Sequence, residues 1–219
     1  KQQVADAATV ADVNAIKQNA QDLNQAMTAL KQGIANKDQI LADGNYTNAS
    51  PDKQQAYSDA IHHAEQIING TPNAIVDPQT VTNALQQVDQ TKGDLNGNDN
   101  LHDAQQQAST MIDGLPNLNP AQKAALKEQV NQAGLVPSVD QIKQTANELN
   151  TAMGNLNQTL QANIQVPQTT DYTQASTDKQ TAYDNAVEQA QQVVNSNQVV
   201  QLSPDAVNQM TNAINHAKD

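Results

Sequence analysis

The sequence predicts an all-α chain: tandem three-helix bundles joined by long shared helices into an elongated rod. Three observations predict it. Val139, Ile142, Ala146, Leu149, Met153, Leu156 and Leu160 are spaced alternately three and four residues apart, the heptad stripe of a helix packed along its length on other helices. Val13, Ile16, Ala20, Leu23, Met27, Leu30 and Ile34 carry the same stripe 126 residues earlier. With residues 13–93 laid over 139–219, 28 of the 81 positions are identical without a gap. A whole module of 126 residues is therefore repeated. The match includes loops as well as core: Tyr46, Ser50, Asp52, Lys53 and Tyr57 become Tyr172, Ser176, Asp178, Lys179 and Tyr183, and Pro78 becomes Pro204.

Each element has its own signals. Residues 1–8 read as the end of a helix, and Asp12 as the N-cap of the first long helix. That helix is expected to run to Asn36 or as far as Ala42, and its twin to start at Ser138 behind Pro137 and reach Ile164. A kink at Gly154, where the first copy has Thr28, would leave no trace in the heptad. A loop is expected at Asp43-Gly44-Asn45-Tyr46. Ser50-Pro51 and Asp77-Pro78 read as a capping side chain followed by proline in a first turn, where no amide is needed. They open helices with Tyr57, Ala60, Ile61, Ala64, Ile67 and Ile68, and with Val81, Ala84, Leu85 and Val88, on their apolar faces. Asn69-Gly70 and Pro72 end the first of these. Asn96-Gly97-Asn98-Asp99 reads as a break. Beyond it a helix over 99–113 ends at Gly114, a second starts at Asn119-Pro120 and ends near Gly134, and the long helix from Ser138 closes the bundle. Its second half begins the next bundle, completed by the helices around Tyr183 to Val194 and Val207 to Ile214. Lys1 falls inside a helical pattern and Asp219 just after one, so the chain is read as a piece of a longer protein.

Composition narrows the function classes. The net charge is −12, and all 11 basic residues are lysine, which argues against nucleic-acid binding and against attraction to an anionic membrane. Cysteine is absent, so there is no disulfide framework and no thiolate metal site. No apolar run approaches the roughly 18 residues of a membrane span. Phe and Trp are also absent, which leaves a core of Ala, Leu, Ile, Val and Met with closely packed helices.

No catalytic constellation emerges. His62 and His63 are neighbours on a helix and diverge by about 100°. They read as solvated surface beside Glu65 and Gln66, as do the isolated His102 and His216. Asn98, Asp99, Asn100 and Asp103 have the composition of a calcium loop but lack its glycine turn and terminal glutamate, and read as helix-start capping. Tyr57 and Tyr183 lie on apolar stripes and read as core, while Tyr46 and Tyr172 stand where a ring could plug the bundle end. No cofactor, no metal and no catalytic residue is expected, and no ligand-binding patch stands out.

Three stretches carry a family resemblance: Ile142-Lys143-Gln144 through Leu149-Asn150-Thr151-Ala152-Met153-Gly154-Asn155-Leu156, Asp178-Lys179-Gln180-Thr181-Ala182-Tyr183-Asp184-Asn185-Ala186-Val187, and Val81-Thr82-Asn83-Ala84-Leu85. They resemble the repeats of the giant extracellular-matrix-binding surface proteins of staphylococci, in which a FIVAR unit is paired with a GA-like unit. The resemblance implies a GA-like tail at 1–26, FIVAR units at 27–95 and 154–219, and a complete GA-like unit at 96–153. It further implies a secreted, non-enzymatic, monomeric rod on a bacterial cell surface that attaches to host matrix, fibronectin above all, and contributes to biofilm or envelope integrity. GA domains that bind albumin do so through an exposed aromatic and aliphatic face. The chain has no aromatic residue between Tyr57 and Tyr172, so its GA-like unit departs from that pattern and albumin is not expected as a partner. A purely structural spacer is the alternative reading, favoured by the continuous heptads.

Overall fold

The computed structural model describes residues 2–195 and 199–218; the expectations at Lys1 and Asp219 fall outside the described residues. Every regular element among the described residues is helical. The chain divides into two units, Lys1–Asn100 and Leu101–Asp219.

The first unit contains α1 (Gln2–Ala5), α2 (Val10–Gly33), α3 (Lys37–Ala42), α4 (Gly44–Thr47), α5 (Pro51–Asn69), α6 (Pro78–Gly93) and the first turn of α7 (Gly97–Asp113). A capping box starts α2. The Thr9 hydroxyl accepts the Asp12 amide, and the Asp12 carboxylate takes back the Thr9 amide at 2.9 Å. The cap is thus Thr9 and not Asp12, because the hydroxyl three residues earlier already satisfies the free amide. The long helix also stops sooner than its heptad suggests. The chain turns at Ile34–Asn36 before α3, and this brings Ile40 and Leu41 onto the core that holds Ile34. An ion pair from Lys37 to Glu65 ties α3 to α5 and raises the lysine pKa, chiefly through that hydrogen bond. The expected loop at Asp43–Tyr46 forms the single turn α4, capped by Asp43. Gly70 ends α5 in the left-handed region at φ 65°, where a Cβ would be strained. Asp77 caps α6 by accepting the Gln79 and Thr80 amides. The Thr80 hydroxyl donates to the same carboxylate at 2.6 Å and holds its pKa low.

The second half of α2 packs with α5 and α6 into a three-helix bundle. Leu30, Tyr57, Ile61, Ile67, Val81 and Val88 fill its core, and Ala60, Ala64 and Ala84 let the helices approach closely.

The second unit takes up α7 from Leu101 and adds α8 (Pro120–Gln132), α9 (Val136–Ala162), a single 3-10 turn (Val166–Gln168), α10 (Thr170–Gln174), α11 (Thr177–Asn195) and α12 (Pro204–Lys218). Helix α7 already begins at Gly97, inside the expected break. Helix α9 begins two residues before the expected Ser138, with Leu135 in the cap position and no side-chain cap; Pro137 occupies its first turn, where the missing amide costs nothing. It then runs 27 residues without interruption, about 40 Å at 1.5 Å per residue, and stops at Ala162, short of Ile164.

Two bundles share α9 and a single core. Ala108, Ile112, Leu126 and Val130 pack with Val139, Ala146 and Leu149; Tyr183, Val193, Val207 and Ile214 continue the same cluster with Met153 and Leu156. Helix α9 runs uninterrupted through Gly154. A Cβ there would lie 2.8 Å from the side-chain nitrogen of Asn117, so the glycine admits the α7–α8 loop. Asn117 is held on α9 by its amide to the Asn150 side-chain oxygen at 2.9 Å and by its side chain to the Asn150 carbonyl at 3.0 Å.

Candidate functional site

The residues singled out by the sequence do not converge. His62 and His63 are exposed on α5, and His62 pairs with Gln66 at 3.0 Å. His102 and His216 are exposed on separate helices. Among the described residues no group of three or more His, Asp or Glu side chains is placed to hold a metal ion.

The tyrosines form two matching pairs. Tyr46 meets Tyr57 edge to face with ring centroids 6.0 Å apart, and Tyr172 meets Tyr183 at 5.7 Å. Tyr57 and Tyr183 are core residues, and burial raises both phenols above the ordinary tyrosine value. The Tyr183 hydroxyl donates to the Asn163 carbonyl at 3.0 Å. Tyr46 and Tyr172 pack partly buried against the cores, and their hydroxyls turn to different partners: Tyr46 shares a hydrogen bond with Ser58, and Tyr172 donates to the Asp184 carboxylate, both at 2.8 Å. That bond is the main cause holding the Tyr172 phenol above its usual range.

What the structure does build, and the sequence reading missed, are amide locks between elements distant in the chain. The first holds the start of α7 in the loop that leads into α5. The Asn96 side-chain oxygen accepts the Ser50 amide at 3.0 Å and the Ser50 hydroxyl at 3.3 Å. The Asn98 amide donates to the Asn45 side chain at 3.0 Å, the Asn100 side chain to the Asn48 carbonyl at 2.9 Å, and Lys53 to the Asp94 carbonyl at 2.7 Å. Gly97 makes the approach possible: a Cβ would lie 2.3 Å from the Asn45 carbonyl oxygen. Ser50 makes no capping bond to the α5 backbone; its hydroxyl reaches both the Asn96 oxygen of the lock and the Asp52 carboxylate, whose pKa it lowers. Asn98 and Asn100, part of the supposed calcium-like cluster, also serve the lock.

The second lock joins the two bundles that share α9. Asn119 and Gln122 form a capping box at the start of α8, and both are buried. The Asn119 side chain donates outward to the Val193 carbonyl at 3.1 Å, and Gln122 to the Gln201 carbonyl at 2.8 Å. A helix cap is thus also a clamp on the end of α11 and on Gln201. Proline after asparagine reveals the cap in the sequence; no pattern reveals that its side chains have partners more than 70 residues away.

Comparison with known proteins places these elements. The FIVAR domain matches residues 26–96 and 152–219, and the GA module matches 1–26 and 98–152. The extracellular matrix-binding protein EbhA of Staphylococcus aureus strain Newman is 63% identical over 219 residues, 100% of this chain and 6% of the relative. The extracellular matrix-binding protein ebh of S. aureus strain NCTC 8325 is 61% identical over 193 residues, 88% of this chain and 2% of the relative. The chain therefore spans only a small part of these proteins. A crystal structure of an EbhA domain from S. aureus superposes with a TM-score of 0.78 at 31% identity, covering 88% of this chain and 76% of that one. A structure from work on Embp-mediated adherence of Staphylococcus epidermidis to fibronectin gives a TM-score of 0.51 at 26% identity, covering 55% of this chain and 96% of that one. Two FIVAR matches interleaved with GA matches, on a repeat that folds as shared-helix bundles, make the chain a member of the FIVAR domain family, in the FIVAR–GA form found in staphylococcal matrix-binding proteins.

Proposed function

We propose that the chain is a repeat segment of a secreted bacterial cell-surface adhesin that binds host extracellular matrix, fibronectin in particular, through many weak modules and without enzymatic activity. The observation that carries the reading is the 63% identity to a protein described as matrix-binding, kept over the full 219 residues. The structure related to Embp-mediated adherence supports fibronectin as the specific partner. The proposed modules are 1–26, 27–95, 96–153 and 154–219. Weak sites repeated along one polypeptide can exceed single-site affinity by about two to four orders of magnitude when geometry lets them engage together. Among the described residues no helix is long and apolar enough to cross a membrane. The test is binding to immobilised fibronectin and, in parallel, to albumin across a salt series. Saturable binding to fibronectin alone supports the reading, and no fibronectin binding at high micromolar concentration counts against it.

A structural spacer is the second reading, and the buried Asn119–Gln122 clamp together with the uninterrupted α9 favours it. Under this reading limited proteolysis leaves the middle of α9 uncut, and early cleavage there would dismiss it.

A further inference from the structure

The two copies of the FIVAR bundle differ where their long helix ends. In the first copy α3 follows: Ile40 and Leu41 pack on the core that holds Ile34 and Ile61, and Lys37 pairs with Glu65 on α5. At the offset of 126, Lys37, Ile40 and Leu41 become Asn163, Val166 and Pro167. A proline at the fifth place of that helix lacks the amide the helix needs and disfavours a helical residue before it. Only the 3-10 turn Val166–Gln168 forms there. Asn163 is buried, and its side chain donates to the Thr159 carbonyl at 2.7 Å.

The missing helix leaves an open groove of ≈ 500 Å³ between the end of α9 and α11. Leu160, Ile164, Val187 and Val194 supply its apolar lining. Ile34 and Ile61 are 9% and 5% exposed, whereas their counterparts Leu160 and Val187 are half-buried and Ile164 is 70% exposed. The groove is also acidic. Asp184 and Glu188 stand in its lining where the first copy has Ser58 and His62. Asp184 accepts the neutral Tyr172 hydroxyl, and among the described residues neither carboxylate forms an ion pair.

We propose that this groove is a docking site for a short basic amphipathic helix of another protein. Its lysine and two aliphatic side chains have the i, i+3, i+4 spacing with which Lys37, Ile40 and Leu41 fill the first copy. The aliphatic pair covers Leu160 and Val187, with Ile164 at its flank. The cation meets Glu188, one helical turn before the position that Glu65 holds in the first copy. A second copy of this chain carries the same net charge of −12 and is repelled by the acidic lining. The residues that follow α9 do not close the groove themselves, because Pro167 interrupts the helix they would need. The docking site does not depend on the fibronectin reading.

The experiment titrates an acetylated and amidated alanine–glutamine helix, carrying lysine, isoleucine and leucine in that spacing, into the isotope-labelled full chain. Saturable amide shifts are expected at Ile164, Val187 and Glu188, and none at Ile61 and His62, where α3 already fills the groove. A probe with glutamate in place of lysine, or the variant Glu188→Lys, is expected to bind about fivefold or more weakly, on the scale of reversing one exposed ion pair. Ile164→Gln should weaken binding by about threefold through lost apolar contact. Ile164 and Glu188 are both exposed, so the fold is kept, and unchanged signals in the first copy verify it. No saturable shift at millimolar probe, equal shifts in both copies, equal affinity of the lysine and glutamate probes, or an affinity untouched by either substitution overturns the proposal. So do shifts of the same signals when protein concentration rises without probe, since a second copy would then be the occupant.

Discussion

Helices α2 and α9 carry one heptad in two environments. Val139 is fully buried and its counterpart Val13 is 39% exposed. Ala146 and Leu149 are buried, whereas Ala20 is exposed and Leu23 half-exposed. Only towards the C-terminal half do the copies converge, at Leu156 and Leu30, both 0% exposed. The front of α9 faces α8 and lies in the core built with α7, while the front of α2 meets the single turn α1. A heptad therefore states which face can be buried. Whether it is buried depends on helices that lie elsewhere in the sequence.

The largest test of this contrast is a matched truncation. Leu149→Ala should destabilise the second unit by about 2–5 kcal/mol, the range for a buried leucine, and Leu23→Ala the first by about 1 kcal/mol, in proportion to its partial burial. Urea unfolding of the two variants measures this, and equal losses would break the comparison. Next comes Gln122→Ala. It strands the Gln201 carbonyl and opens a buried site, with an expected cost of about 1–3 kcal/mol, and hydrogen exchange should rise around residues 199–202. An effect confined to α8 would mean that the cap matters and the clamp does not.

A smaller effect is expected from exchanging the residues at the glycine position. Gly154→Thr should displace the Asn117 side chain and lose about 0.5–1.5 kcal/mol of hydrogen bonding, partly offset by the better helix former. Thr28→Gly should cost only the helical penalty of glycine, roughly 0.5 kcal/mol. The two thermal shifts and the amide signal of Asn117 separate these causes. The smallest effect concerns the tyrosine pairs. The folded state favours the protonated Tyr172 phenol, so the stabilisation from its bond to Asp184 is in place below the ordinary tyrosine value of 10.0 and is lost as pH rises through the folded pKa. Asp184→Asn should move that ionisation to lower pH in an ultraviolet difference titration; an unmoved curve would show that the bond does not hold the phenol.

Much of the architecture was legible because it rests on local signals. Proline after serine, aspartate or asparagine marked the starts of α5, α6, α8 and α12, and Gly70 marked an end. The errors fell where several residues compete for one role. Thr9 outcompeted Asp12 for the cap, the turn at Ile34–Asn36 was hidden by a stripe that continues into α3, and the apparent break at Asn96–Asp99 is the first turn of a helix held from outside. Gly154 gives clearance to Asn117, which no local pattern could show.

The sequence by itself determined the helical periodicity, the 126-residue repeat and the identity of the apolar faces, because spacing and capping chemistry act between residues a few positions apart. Only the tertiary structure decided that Asn96, Asn119 and Gln122 join elements rather than face water. An amide side chain has the same hydrogen-bonding capacity on a surface as in a clamp. Its partner is chosen by the packing of helices distant in the chain.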